Sequence, residues 1–398
     1  MVQLGSSVWR FCLLSLPLAS SLFVPQRPLV KEHEDDFTTI TQNLVSDDVE
    51  LNITDYTSLD EWNPTNWDYD VVIVGGGPGG LAASMSLARV ARTSLLYDSQ
   101  EYRNDRTRYM HDVLGQDGRS AFPYNEELGN EQRYLGQVPL KFRSAVRQQI
   151  EELYPDYSYW ATRKTKVTGI VPLEKGFRVY DDKGGKVTAK RVIMATGIKD
   201  MVPDKPGFAE AFGRGMFWCP WCDGHDYKNR KLVVYGKLAS AIGSALNMRK
   251  LTTDITIVTG GALTKEDKEA AEARWPGWET TIKNTYKIPI RESDIARVER
   301  TTANMEPKDD EYRVHLNGGN PLVTNGIIIH VSTAQTSSLH RQLRLEMDGN
   351  SVKVKSNMES SVNGLYVVGD ANNDGSTNAY HAMWSAKRAA VHAHGKHS

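Results

Sequence analysis

The residues most able to do chemistry are those of Cys219-Pro220-Trp221-Cys222-Asp223-Gly224-His225-Asp226-Tyr227. Two thiols stand one helical turn apart, with a carboxyl directly behind the second and an imidazole just beyond. The chain holds three cysteines in all, and Cys12 lies in an apolar N-terminal run. A structural zinc site takes about four Cys or His ligands. No second cysteine pair exists here, and His225 supplies at most a third ligand. A structural disulfide is the plainer reading, but such frameworks use several well-separated cysteines. A Cys-x-x-Cys loop is so short that closing it removes little entropy from the unfolded chain. The pair suits switching better than stapling, so redox chemistry at a reversible disulfide is the favoured reading.

Elements that could position such a pair are legible upstream. Val71-Val72-Ile73-Val74 is a short, β-branched apolar run, the pattern of a buried parallel strand. Gly75-Gly76-Gly77-Pro78-Gly79-Gly80 follows, with Gly75, Gly77 and Gly80 in G-x-G-x-x-G spacing, and then the helical stretch LAASMSLARV. These glycines serve a tight turn, close approach to a pyrophosphate, and close strand–helix packing. The phosphates would rest on the helix's unpaired N–H groups. Thr93–Asp98 reads as the second strand, and Asp98 stands where a dinucleotide fold places its ribose-binding acid. Arg191–Gly197 is a strand running into Ala195-Thr196-Gly197. Gly364–Ala371 is another, ending in Gly369-Asp370. Phe142, Val146, Ile150 and Leu153 recur at helical spacing. The run from Tyr157 to Gly185 alternates and predicts a β-meander.

At 398 residues the chain is long enough for two domains, and 48 Lys+Arg against 49 Asp+Glu leave it near neutral. That balance argues against nucleic acid as a partner, which would call for a basic surplus. The N-terminus, MVQLGSSVWRFCLLSLPLASSLF, runs from Arg10 through apolar residues to small ones, the order of a secretory signal peptide. It is shorter than the roughly 20 apolar residues of a membrane span. Residues 1–24 are therefore expected to be a signal peptide and 25–66 a charged linker, with a glycosylation sequon at Asn52. The expected destination is the secretory pathway or the outside of the cell, with no membrane attachment once the signal is removed.

In order along the chain, GGGPGG, Ala195-Thr196-Gly197, Cys219-x-x-Cys222-Asp223-Gly224 and YVVGDA resemble the motifs of the low-molecular-weight thioredoxin reductases, from about residue 68 to the end. The resemblance implies an α/β fold of two Rossmann-like three-layer nucleotide-binding domains, the second inserted in the first. The FAD-binding domain would span 67–203 and 326–398, and the inserted domain, carrying the cysteines, 204–325. It implies FAD as cofactor, held by Gly75, Gly77, Pro78, Gly80, Asp98, Ala195, Thr196, Gly197, Gly369 and Asp370. It also implies a homodimer, Cys219 as the more exposed thiol, Cys222 nearer the flavin, and Asp223 as proton shuttle.

The sequence departs from the reductases after Lys231–Tyr235. Their second glycine-rich fingerprint is replaced by Gly236-Lys237-Leu238-Ala239-Ser240-Ala241-Ile242-Gly243, with bulk at Lys237 and Leu238. No arginine pair follows Ile255–Val258, and a 2′-phosphate calls for a bidentate cation. Weak or absent NADPH binding is expected. This is similar to the fungal dithiol oxidase branch of the gliotoxin type, which closes disulfides in small secondary metabolites and passes the electrons to O₂. Tyr102-Arg103-Asn104 and His111–Gly118 also resemble that branch. The implied partners are a small-molecule dithiol and O₂. By family position His381, in Asn378-Ala379-Tyr380-His381, would lie beside the flavin and accept the substrate proton. His111 stands behind it as a second candidate, and His225 is read as structural. Trp221 would either stack on a substrate ring or fill space over the flavin. The rival readings are an NADPH-dependent thioredoxin reductase, a secreted FAD-binding redox sensor without turnover, and a general oxidase of protein thiols.

Overall fold

The computed structural model describes residues 66–395, apart from 108, 116, 118, 121–137, 305 and 376. The signal-like run, most of the linker and the Asn52 sequon lie outside the described residues.

Strand β1 (Tyr69–Val74) is the centre of the first sheet because its last four side chains are apolar and buried. On one side it pairs in parallel with β2 (Ser94–Tyr97), which pairs with β3 (Ser158–Trp160). On the other it pairs with the long β6 (Lys186–Met194). An antiparallel meander of β4 (Val167–Leu173), β5 (Gly176–Asp181) and β6 extends the sheet. The last strand, β17 (Leu365–Val367), returns to pair in parallel with the end of β6. Helices α1 (Pro78–Ala88), α2 (Val138–Leu153) and α6 (Ala379–Gly395) supply apolar side chains to the core on one face, and the meander helps to close the other.

The second sheet is parallel throughout: β8 (Met216–Phe217), β15 (Gly326–Ile329), β9 (Leu232–Tyr235), β10 (Ile255–Val258) and β11 (Ile290–Arg291). Helices α4 (Leu238–Met248) and α5 (Lys265–Arg274) cover one face. The antiparallel sheet β12 (Ile295–Thr302), β13 (Glu311–Leu316) and β14 (Leu322–Thr324) covers the other. The chain leaves the first domain along β7 (Ile198–Asp200) and comes back along β16 (Thr333–Gln335), and these two strands pair antiparallel. The chain is thus a doubly nested α/β fold, one nucleotide-binding domain set inside another.

Three local expectations are corrected. The inserted domain does not end at 325, because β15 lies between β8 and β9 in its sheet; the boundary falls between β15 and β16. The meander begins at Val167 and not at Tyr157. Ser158–Trp160 pairs with β2 at the opposite edge, since its alternation is compatible with either edge. In α2, Ile150 is fully buried and Val146 packs against the core, but Leu153, in the last turn, is 59 % exposed.

The first turn of the sheet depends on missing side chains. A Cβ on Gly80 would lie 1.8 Å from the carbonyl oxygen of Gly75, and one on Gly75, itself at φ +117°, would lie 2.3 Å from that of Ala195. Helix α1 therefore reaches the end of β1 only if Gly80 is bare, and the end of β1 meets the turn after β6 only if Gly75 is. At Gly76, which the G-x-G-x-x-G pattern leaves unconstrained, a Cβ would meet the Asp98 carboxylate, a side-chain rather than a backbone contact. Gly80→Ala should lower stability by roughly 2 kcal/mol or more, since backbone atoms must move apart. Urea unfolding midpoints of the two proteins check this, and the purified variant should carry less flavin.

Candidate active site

One cleft of about 250 Å³ runs from the β1–α1 turn to the cysteines. Gly75, Gly77, Pro78 and Asp98 line one end, Ala195, Thr196, Gly197, Gly369 and Asp370 its middle, and Cys219, Cys222, Asp223 and His111 the other. Gly80 lies behind, as the packing contact already described. The structure thus brings together on one wall system residues that are far apart in sequence.

The cleft is built to take a dinucleotide. A Cβ on Gly77 or Gly197 would meet nothing within 4 Å, so backbone faces open space there. Thr196 Oγ1 is buried without a protein partner. Gly369, at φ +68°, is anchored by its N–H to Ser385 Oγ at 3.0 Å, which fixes the turn carrying Asp370. Asp98 accepts from the Gln100 N–H and the Tyr102 hydroxyl, so its carboxylate is held at the strand end. These residues fit FAD: the Gly-rich turn would hold the pyrophosphate and Asp98 the ribose.

Arg103 ties the cleft together. It forms a fork on Asp200, donating through Nε and Nη2 at 2.8 Å, and reaches Asp370 through Nη1 at 3.0 Å. Its guanidinium lies 5.1 Å from the ring centre of Trp218, which stacks on Phe212. Burial pushes the Asp370 carboxyl upward, opposed by Arg103. Sequence reasoning gave Arg103 no role and missed Trp218 altogether. A charged residue in a resembling motif, and an aromatic next to Cys219, were the available signals.

Cys219 and Cys222 form a disulfide in the first turn of the short helix α3 (Pro220–Asp223). Cys219 is its N-cap, with Sγ accepting from the Cys222 N–H at 3.1 Å. Both cysteines are partly exposed, so the burial of the residues does not separate them. Asp223 follows, and burial raises its carboxyl from an ordinary 3.8 to about 7, with His111 acting in the opposite direction.

The three histidines part company here. His111 lines the cleft with both cysteines. Its Nε2 lies 3.1 Å from Asp226 Oδ2, and that hydrogen bond is the main cause of its raised pKa. His381, the first candidate from sequence, is buried and absent from the cleft walls. Its Nε2 is 2.8 Å from Asp374 Oδ1, off the angle of a hydrogen bond. The start of helix α6 and the residue before it turn Asn378, Ala379 and Ala382 to the cleft and His381 inward, so the geometry favours His111 over His381 as acceptor of the substrate proton. His225 is exposed. Trp221 is 78 % exposed and outside the cleft walls, so it does not fill the space over a flavin.

The profile of the family described as pyridine nucleotide-disulphide oxidoreductase matches residues 69–386. The chain belongs to that family. A "Probable thioredoxin reductase" of Arthroderma benhamiae is 37% identical over 344 residues, covering 82% of this chain and 80% of the relative. "Thioredoxin reductase sirT" of Leptosphaeria maculans is 27% identical over 320 residues, covering 76% and 86%. Among solved structures, an oxidoreductase from Agrobacterium tumefaciens superposes with a TM-score of 0.65 at 24% identity, covering 82% of this chain and 98% of its own. The chain is a thioredoxin-reductase-like disulfide oxidoreductase, and its cofactor is FAD.

The Asp223 shift carries a stability consequence. Between pH 4 and 7 the folded protein holds a proton here that the unfolded chain has released, so stability falls as pH rises through that window. Asp223→Asn removes the cost of ionising a buried acid. The variant should match the parent near pH 4 and exceed it by ~1–3 kcal/mol at pH 8, a range reduced for partial exposure. Urea midpoints of the oxidised proteins at both pH values test it.

Proposed function

We propose that this chain is a dithiol oxidase. It closes a disulfide in a small secondary-metabolite dithiol through Cys219 and Cys222, with O₂ as final acceptor and H₂O₂ as product. The observation that carries this reading is the second nucleotide turn. Between β1 and α1 three glycines intervene, and Gly77 presents bare backbone to the cleft. Between β9 and α4 only Gly236 and Lys237 intervene. Leu238, at the place of Gly77, begins the helix and is buried in the core. This corrects the expectation that Leu238 would obstruct a pyrophosphate; the turn is instead a residue shorter. Beside it stands His330, whose Cβ lies 2.6 Å from where a Gly236 Cβ would be and whose Nε2 pairs with Ser244 Oγ of α4 at 2.9 Å. A dinucleotide has little bare backbone to rest on.

In the proposed reaction a substrate thiolate attacks Cys219 Sγ. The Cys219–Cys222 bond breaks and its electron pair leaves on Cys222. The second substrate thiolate then attacks the substrate sulfur of the mixed disulfide, closing the product and releasing Cys219. The thiolate is the reacting form, so removal of the thiol protons is part of the task of the site. Asp223 and His111 are the groups in the cleft able to receive them near neutral pH. FAD, when bound, supplies the two-electron acceptor that restores the disulfide and the route to O₂. The homodimer, and the secretory route implied by the leader, belong to the same proposal.

A second reading, an NADPH-dependent thioredoxin reductase, is favoured by the names of the relatives and by Arg291. That residue pairs with Val258 at the end of β10, where a 2′-phosphate would be read. Anaerobic spectra of the purified flavoprotein decide between them. Dithiothreitol should bleach the flavin band and NADPH should not, and air should restore colour with release of H₂O₂. Rapid bleaching by NADPH would establish the reductase instead.

A further inference from the structure

Asp223 lines two cavities. One is the main cleft, shared with both cysteines and His111. The other is a small cavity of about 30 Å³ on its far side, whose walls include Asp226, Tyr109, Glu306 and Lys308. His111 and Asp226 come from different domains and meet at 3.1 Å beside this partition. The His111 side chain is nearly enclosed, while that of Asp226 is about one-third exposed at 32%. On its other nitrogen, His111 Nδ1 lies 3.7 Å from the exposed Asp117. Asp223 thus shares the cleft with the disulfide and interacts electrostatically with His111, and His111 is flanked by two carboxylates that reach solvent.

We propose that His111 and Asp226 form the proton exit of the disulfide site, with Asp226 as the positioning residue that holds the imidazole against Asp223. The inference rests on thiol–disulfide exchange at Cys219–Cys222 and is independent of the final electron acceptor. In the exchange, the substrate S–H bond breaks and its proton passes by Asp223 to His111, then to solvent. The new S–S bond forms to Cys219 as the Cys219–Cys222 bond breaks, and the electron pair leaves on Cys222. Nothing else is consumed. An imidazole with one nitrogen on a carboxylate keeps a fixed tautomer and a raised basicity. Among the described residues, the groups acting on it are Asp226 and Asp223 from the cysteine segment and Asp117 from its own loop, and the Tyr109 ring lies 5.8 Å away. Glu306, which accepts from the Tyr109 hydroxyl at 2.8 Å, and Lys308 stand across the small cavity.

The fold contains its own control. His381 and Asp374 make a second histidine–aspartate pair, outside the cleft walls. The test mixes oxidised, flavin-loaded enzyme with dithiothreitol without air, quenches in acid, and counts free cysteine thiols by maleimide labelling across pH 5.5–9. Neither O₂ nor NADPH enters, so failure of the oxidase reading would leave this result untouched. His111→Gln should slow exchange roughly tenfold or more at pH 7 and remove one limb of the pH profile. Asp226→Asn keeps the size of the side chain but removes the charge that raises His111, so that limb should move to lower pH. His381→Gln should leave the limb in place. Flavin content and near-ultraviolet circular dichroism report whether each variant is folded, and a His111→Asn variant replaces any that is not. An unmoved limb in folded Asp226→Asn, or loss of the limb in His381→Gln, overturns the proposal.

Discussion

The guanidinium of Arg103 is the contact on which the cleft depends. Four separate stretches of chain meet on it: its own loop after β2, Asp200 at the end of β7, Asp370 in the turn after β17, and Trp218 leading into the cysteines. A partly buried cation with a fork on one carboxylate and a third hydrogen bond to another is held in direction as well as in place. Removing it would leave two enclosed acids facing each other, which is far more costly than losing an exposed ion pair. The cofactor end and the thiol end of the cleft are thus joined by one planar group.

The electrostatics of the two ends differ accordingly. Near the Gly-rich turn the chain offers backbone, glycines and a single ordered acid, which suits a polyanion bound through N–H groups. Near the disulfide it offers Asp223 and His111, each of which acts on the protonation of the other, with the Asp226 carboxylate hydrogen-bonded to the imidazole. Burial holds Asp223 near neutrality, and the Asp226 carboxylate strengthens the His111 base. Proton traffic belongs at the thiol end, and the structure concentrates the titrating groups there.

Much of this was legible in the sequence, for physical reasons that also explain what was not. The β1–α1 turn and the buried strands at 191–194 and 364–367 announce themselves by local pattern: β-branched runs, glycines at fixed spacing, and the change from one periodicity to another. The CxxC pair is local too. What stayed hidden is what only the fold can bring together. Arg103 and Asp370 are 267 residues apart, and His111 and Asp226 are 115 apart. Neither pairing leaves a periodic trace. The ranking of His381 over His111 was not legible, because position near the start of a helix does not say which way a side chain faces. The Leu238 error had the same origin: a turn shorter by one residue rotates the helix entry and sends the side chain inward. The boundary at 326 failed because β15 and β16 are separated by only three residues yet belong to different domains.

The crossing between the domains has a further meaning. β7 and β16 leave and re-enter the first domain as hydrogen-bonded neighbours, with Asp200 opposite Thr333. The two ends of the inserted domain are therefore side by side, and β6 and β17 stay in register however much chain lies between them. A segment attached through adjacent ends puts little strain on its host sheet, and here the Arg103–Trp218 and His111–Asp226 contacts add a second hold on it. The flavin cradle is in this sense a chassis, and the thiol-bearing domain a cartridge seated in it through one paired crossing and clamped there by side chains.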